Sequence, residues 1–184
     1  MAIKRLVVDG FGQIELNQVA FRRDGRIEAQ CALDGTAFAS VSAENGMLLA
    51  VDNAKRVVKF ATDATLPVAL HYSTEHLYDD RHQGLKNFKL DIADGFYPRL
   101  GYLAIGDKYT TNCLAYDTAE FATEDALIAA ANACATTALY ATTCSNGAHL
   151  VTKTKPTTGV ALKAIQATTM PDGQFAIKFQ VIGC

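Results

Sequence analysis

The residue types best suited to chemistry in this chain gather in one polar run, His71-Tyr72-Ser73-Thr74-Glu75-His76-Leu77-Tyr78-Asp79-Asp80-Arg81-His82. It holds three of the four histidines and three carboxylates, the ligand types that zinc uses. Its spacing lacks the H-E-x-x-H arrangement that sets two imidazoles on one helical face. We read it as a solvated or interface loop, with a metal-dependent enzyme as the rival reading. No G-x-S-x-G elbow occurs, and no cysteine sits in a protease signature. Cys113 reads as a core thiol, since no neighbour in sequence would favour a thiolate. The paired acids Asp79-Asp80 and Glu124-Asp125 suit acid–base work in principle, but the second pair is better explained by a helix start. Gly10-Phe11-Gly12 is a fragment of a phosphate-binding glycine pattern, with Glu15 where the third glycine belongs and no helix following. No catalytic, cofactor-binding or metal residue is assigned. The expectation is a non-enzyme without a cofactor.

Aromatic residues are the other candidates. Phe96, Tyr97, Tyr102 and Tyr109 lie close together in the chain and can stack on bases or sugars. Their surroundings are poor in basic residues, which favours core or protein-interface packing. A carbohydrate-binding module using Tyr97, Tyr102 and Tyr109 is a further rival.

The elements that must position these groups are mostly strands. The chain has 184 residues, of which 49% are hydrophobic and 20% charged, a balance that suits one globular domain over 1–184 with its own core. A weak subdivision at 73–87 is the one candidate boundary. A net charge of −2 argues against nucleic acid as a partner. The apolar run near the N-terminus is too short for a signal peptide, and no run approaches membrane-spanning length. Five cysteines without a C-x-x-C pair point to a reducing compartment and mostly buried free thiols, with Cys184 the exposed exception.

Arg26 to Leu33 alternates as a strand, and the phase switch around Asn17-Gln18 in the preceding run predicts a β-bulge. Asp24-Gly25, bracketed by Arg22, Arg23 and Arg26, reads as the hairpin turn between them. Met47 to Val51 and Arg56 to Phe60 form a second hairpin around Asp52-Asn53. Leu66 to Tyr72, Phe88 to Ile92, His149 to Lys153, Val160 to Thr168 and Gln174 to Ile182 are further strands. In the last, Phe175, Ile177, Phe179 and Val181 point inward. The segment from Phe96 to Thr111 reads as short strands and tight bends. Thr123-Glu124-Asp125 caps one alanine-rich helix ending near Ala135. The fold class is mainly β (α+β): an antiparallel barrel or sandwich with one Ala-rich helix near 123–135.

Four segments carry a resemblance: Ile3 to Gly10, Glu44 to Asp52, Tyr97 to Asp107, and Met170 to Gln174 with its alternating strand. Together they resemble tailed-bacteriophage structural proteins, most of all capsid decoration (cement) proteins. The resemblance implies a virion protein, made in the host bacterial cytoplasm, that binds and stabilises the assembled major capsid lattice. It implies the major capsid protein as partner, with self-association, and neither nucleic acid nor membrane. Another virion component, such as a tail-tube, connector or head-fibre protein, is the alternative. Candidate protein-contact residues are Ile3, Arg5, His76, Tyr78, His82, Tyr97, Arg99, Tyr102 and Tyr109.

Overall fold

The computed structural model describes residues 2–62, 65–73 and 86–184. The first half contains β1 (Ile3–Arg5), β2 (Ile14–Gln18), α1 (Ala20–Asp24), β3 (Ile27–Glu28), β4 (Ala32–Leu33), β5 (Ala43–Glu44), β6 (Leu48–Asp52), β7 (Val57–Phe60) and β8 (Val68–His71). After residue 86 come β9 (Lys89–Leu90), a 3-10 turn at Ile92–Asp94, β10 (Leu100–Tyr102), β11 (Lys108–Thr111), β12 (Leu114–Asp117) and α2 (Glu124–Asn132). The chain closes with β13 (Tyr140–Thr143), β14 (His149–Thr152), β15 (Ala161–Thr169) and β16 (Phe175–Gly183). Strand far exceeds helix, 39% against 11%, so the fold is mainly β.

Eight strands form one sheet in the order β1-β12-β14-β13-β15-β16-β11-β2, and six form another in the order β3-β10-β8-β6-β7-β4. The sheets are sandwich-like and do not close into a barrel, since β1 and β2 remain as edges of the larger one. The core falls into two clusters, each fed by both sheets. Leu48 of β6 and Leu114 of β12 belong to one, while Leu49 and Ala115, one residue on, belong to the other. Successive strand side chains point to opposite faces, so β6 and β12 are covered on both. That double burial is why Met47 to Val51 reads as an unbroken apolar run and not as an alternation.

Several expected elements are present. The β6–β7 hairpin pairs Leu49 with Phe60 and Asp52 with Val57. The last two expected strands are present as β15 and β16, and the structure joins them as a hairpin through Pro171-Asp172-Gly173, where the Gly173 amide donates to the Met170 carbonyl at 2.8 Å. Between the pairs Glu15–Thr110 and Gln18–Lys108, β2 sets two residues, Leu16 and Asn17, against the single Tyr109 of β11, a bulge next to the expected phase switch. Thr123 caps α2 by accepting the Ala126 amide at 3.2 Å, an interaction worth about 1 kcal/mol. The helix buries Leu127 and Ala131 and ends at Asn132, one turn earlier than its alanine content suggests.

Three expectations are corrected. Asp24-Gly25 is not a hairpin tip: Ala20–Asp24 is a second, short helix, ended by Gly25 at φ 70°. The cause is tertiary, because Phe21 is fully buried with its ring where a Cβ on Gly101 would stand, 2.4 Å away. Arg26 to Leu33 is split into the two-residue strands β3 and β4, which pair with different partners, β10 and β7. Pairing is also not wholly antiparallel. β12 runs parallel to β14, and β4 parallel to β7. Parallel neighbours need a long crossover, and α2 lies in the one joining β12 to β14.

Two glycines make a test of close packing. A Cβ at Gly46 (φ 84°) would lie 2.3 Å from Thr111 Oγ1, whereas one at Gly25 (φ 70°) meets nothing within 4 Å. Gly25→Ala should cost only the left-handed backbone penalty of about 1–2 kcal/mol. Gly46→Ala should add an overpacking cost of about 1–3 kcal/mol. Urea unfolding measures both, and equal losses would refute the close approach at Gly46.

Candidate functional site

The groups that could do chemistry are drawn inward into two polar networks. In the first, Arg5 grips the Glu44 carboxylate with both terminal nitrogens, one at 2.7 Å. The same carboxylate accepts the Gly12 amide at 2.5 Å, and Arg5 also reaches the Cys113 sulfur at 3.6 Å. Burial opposes the charge on Arg5, but the Glu44 carboxylate outweighs it and the pKa rises. Burial pushes the Cys113 thiol up to about 12 despite the nearby guanidinium, so it stays protonated and is a poor nucleophile.

His71 extends this network. Its Nδ1 lies 2.7 Å from the Glu44 carbonyl oxygen, which can only accept, so Nδ1 carries the proton. Nε2 then accepts from the Ser73 hydroxyl at 2.6 Å, and Ser73 Oγ accepts the Arg99 amide at 2.9 Å. A serine hydroxyl on an imidazole is the pairing used by nucleophilic enzymes. Here the ring is oriented by a main-chain carbonyl, and the hydroxyl also ties β8 to the approach of β10. The second network follows the same logic. His149 Nδ1 donates to the Cys113 carbonyl at 3.1 Å, and Nε2 accepts the Tyr109 hydroxyl at 2.8 Å. The His149 ring stacks on Phe179 at 5.5 Å and 11°. Burial lowers both histidines from the usual 6.5 to about 4. Burial likewise raises Tyr109 well above its usual 10.

The surface carries a different set of side chains. Phe96 and Tyr97 are 73% and 57% exposed, and Ile92, four positions before Phe96 in the chain, is 41% exposed. β5 pairs with β9 through Ala43 and Leu90, and the Ser42 hydroxyl donates to Asp91 at 2.5 Å. Val41, just before β5, is also exposed. Ile3 stands exposed on the edge strand β1, with Val7 exposed just beyond it.

The contact residues expected from sequence separate accordingly. Ile3, Tyr97 and Arg99 are exposed. Arg5 turns inward to Glu44, and Tyr102 is half-buried. Tyr109 is a correction: it is fully buried, since its ring and hydroxyl are both used by Phe179 and His149 in the core. His76, Tyr78 and His82 lie outside the described residues, as does most of the run from His71 to His82. His71 itself is a core residue. Sequence reasoning did not single out the exposed Val41 and Ile92; the β5–β9 pairing next to them joins Ala43 to Leu90, for which no local pattern exists.

Both networks have measurable consequences. Unfolded histidines bind protons below about pH 6.5 while the buried ones resist until about pH 4, so the unfolded state holds more protons in that window. Stability should be fully present above pH 6.5 and fall as pH drops toward 4, by on the order of 3 kcal/mol per histidine. Urea midpoints across this range should fall, and His149→Gln should flatten the slope by about one proton; an unchanged slope contradicts the buried neutral state. Arg5→Ala leaves a buried carboxylate unpaired and should cost about 3 kcal/mol, while Arg5→Met with Glu44→Met should lose less than the sum of the single changes. Additive losses in that double-mutant cycle would show the pair is uncoupled.

Among the described residues no helix is long and apolar enough to cross a membrane. No protein-family model, curated protein or solved structure matches this chain.

Proposed function

We propose that this chain is a non-enzymatic protein-binding component of a tailed-phage virion, docking on and reinforcing the assembled major capsid lattice. The partner comes from the resemblance described above. The observation that supports a binding role is the exposure of large apolar side chains, above all the consecutive Phe96 and Tyr97, with Ile92 and Val41 also exposed. Aromatic side chains are among the residues on which protein interfaces concentrate their energy. A single such patch gives a modest contact. Repetition over a symmetric lattice multiplies modest contacts into firm attachment when neighbouring sites are engaged together. The inward-facing titratable groups fit this reading, because they hold strands in place and leave the surface to recognition.

A second reading has its own support. Leu6 donates to Leu114 and Thr118 donates to Ala2 across the β1–β12 pair. Antiparallel bonding alternates, so the main-chain groups of Ile3 and Arg5 face outward from the sheet edge. An open edge favours strand addition between copies, as in a tail-tube, connector or head-fibre component.

Co-sedimentation with assembled capsid shells, compared with unassembled capsid protein, tests the first reading. Binding should be confined to the shells. Phe96→Ser with Tyr97→Ser should weaken it at least about tenfold while leaving the thermal midpoint unchanged, because both side chains are already solvated. Wild-type binding by that variant, or no binding to shells, would sink the docking proposal. Rings or tubes of purified protein in electron micrographs would favour the second reading.

A further inference from the structure

We propose that a cleft at one end of the sandwich binds an uncharged, mostly apolar small molecule with a hydroxyl or carbonyl group at its mouth. The cleft has a volume of about 550 Å³, within the range of small-molecule sites. It opens where β8 and β10 of the six-stranded sheet diverge from β13 and the start of β15 in the eight-stranded one. Its floor is apolar, with Leu103 and Val160 almost fully buried and Val68 beside them. Its rim carries hydroxyls, from the exposed Thr62 and Thr158 and the half-buried Thr143.

Three observations select the ligand class. First, the described residues lining the cleft include no Asp, Glu, Lys, Arg or His. A charged ligand would find no oppositely charged side chain among these residues, and its desolvation would cost several kcal/mol. Second, the deeper hydroxyls are already engaged. Thr142 donates to the Val160 carbonyl at 2.8 Å, and the Tyr102 hydroxyl bonds to Asn53. Both residues therefore offer the cleft carbon surface, and polar contact is left to the rim. Third, every strand at the cleft is an inner strand: β8 lies between β10 and β6, β10 between β3 and β8, and β13 between β14 and β15. An extended peptide would have no edge strand to add to there, which favours a small ligand over a protein segment. The inference is independent of the capsid reading.

Cys184 provides a built-in reporter. It lines the cleft and is exposed, whereas Cys31, Cys113, Cys134 and Cys144 are buried. The test uses the uncharged dye Nile red and alkylation by N-ethylmaleimide on the full chain. Nile red should bind saturably at one site and slow Cys184 alkylation at least about fivefold, as expected for a thiol covered by bound ligand. Thr143→Arg, which puts a charge into the lining, and Thr62→Trp, which covers the mouth, should each weaken dye binding at least about tenfold. Circular dichroism and thermal midpoints confirm that the variants fold. Non-saturable binding, unprotected Cys184, or binding lost in Phe96→Ser but kept in Thr143→Arg would overturn the proposal, the last by assigning the dye to the exposed aromatic patch.

Discussion

A carboxylate buried between two sheets must find partners, and Glu44 meets that demand in a way that organises much of the fold. Its oxygens take both ends of the Arg5 guanidinium and the Gly12 amide, while its own carbonyl takes the His71 ring. Those contacts tie together the edge strand β1, the loop before β2, the short strand β5 and the end of β8. Cys113, at the start of β12, closes the group from below. Removing any one partner leaves a desolvated charge or polar group behind, which costs more than the contact itself contributes. The interaction thus acts less as a source of net stability than as a constraint on which arrangements of these segments are tolerable.

The same constraint explains the tight glycines around it. Gly12 and Gly46 stand where any side chain would strike Asn45, Thr111 or Gln13. Backbone approaches this close let the Glu44 network and the Thr111–Gln13 contact share one small volume. With His149 and Tyr109 locked in the neighbouring network, burial holds both histidine rings neutral and Tyr109 and Cys113 protonated near neutral pH. At the surface Phe96, Tyr97, Ile92 and Val41 remain solvated, and those are the side chains on which the proposed docking draws.

Much of the fold was legible in the chain because it depends on local signals. The α2 cap at Thr123, the β6–β7 hairpin, the strands β15 and β16 and the phase switch in β2 all announce themselves within a few residues. The misreadings share a cause. Asp24-Gly25 has the composition of a hairpin turn, but Phe21 must reach the bare face of Gly101, and a helical turn delivers it there. Tyr109 has the look of a contact aromatic in a Gly- and Thr-rich segment, yet its strand β11 is buried between β16 and β2. No residue near it in sequence reports that burial.

What the sequence determined by itself was the class: a β-rich chain with free buried thiols, little net charge and one capped helix. These properties are sums or short-range patterns, set by composition, alternation and turn chemistry. The tertiary structure decided the parallel pairing of β12 with β14, the inward turn of Arg5 and His71, and the pairing of β5 with β9. Each requires segments far apart in the chain to share one space. Their identity rests on packing and desolvation, which have no local signature.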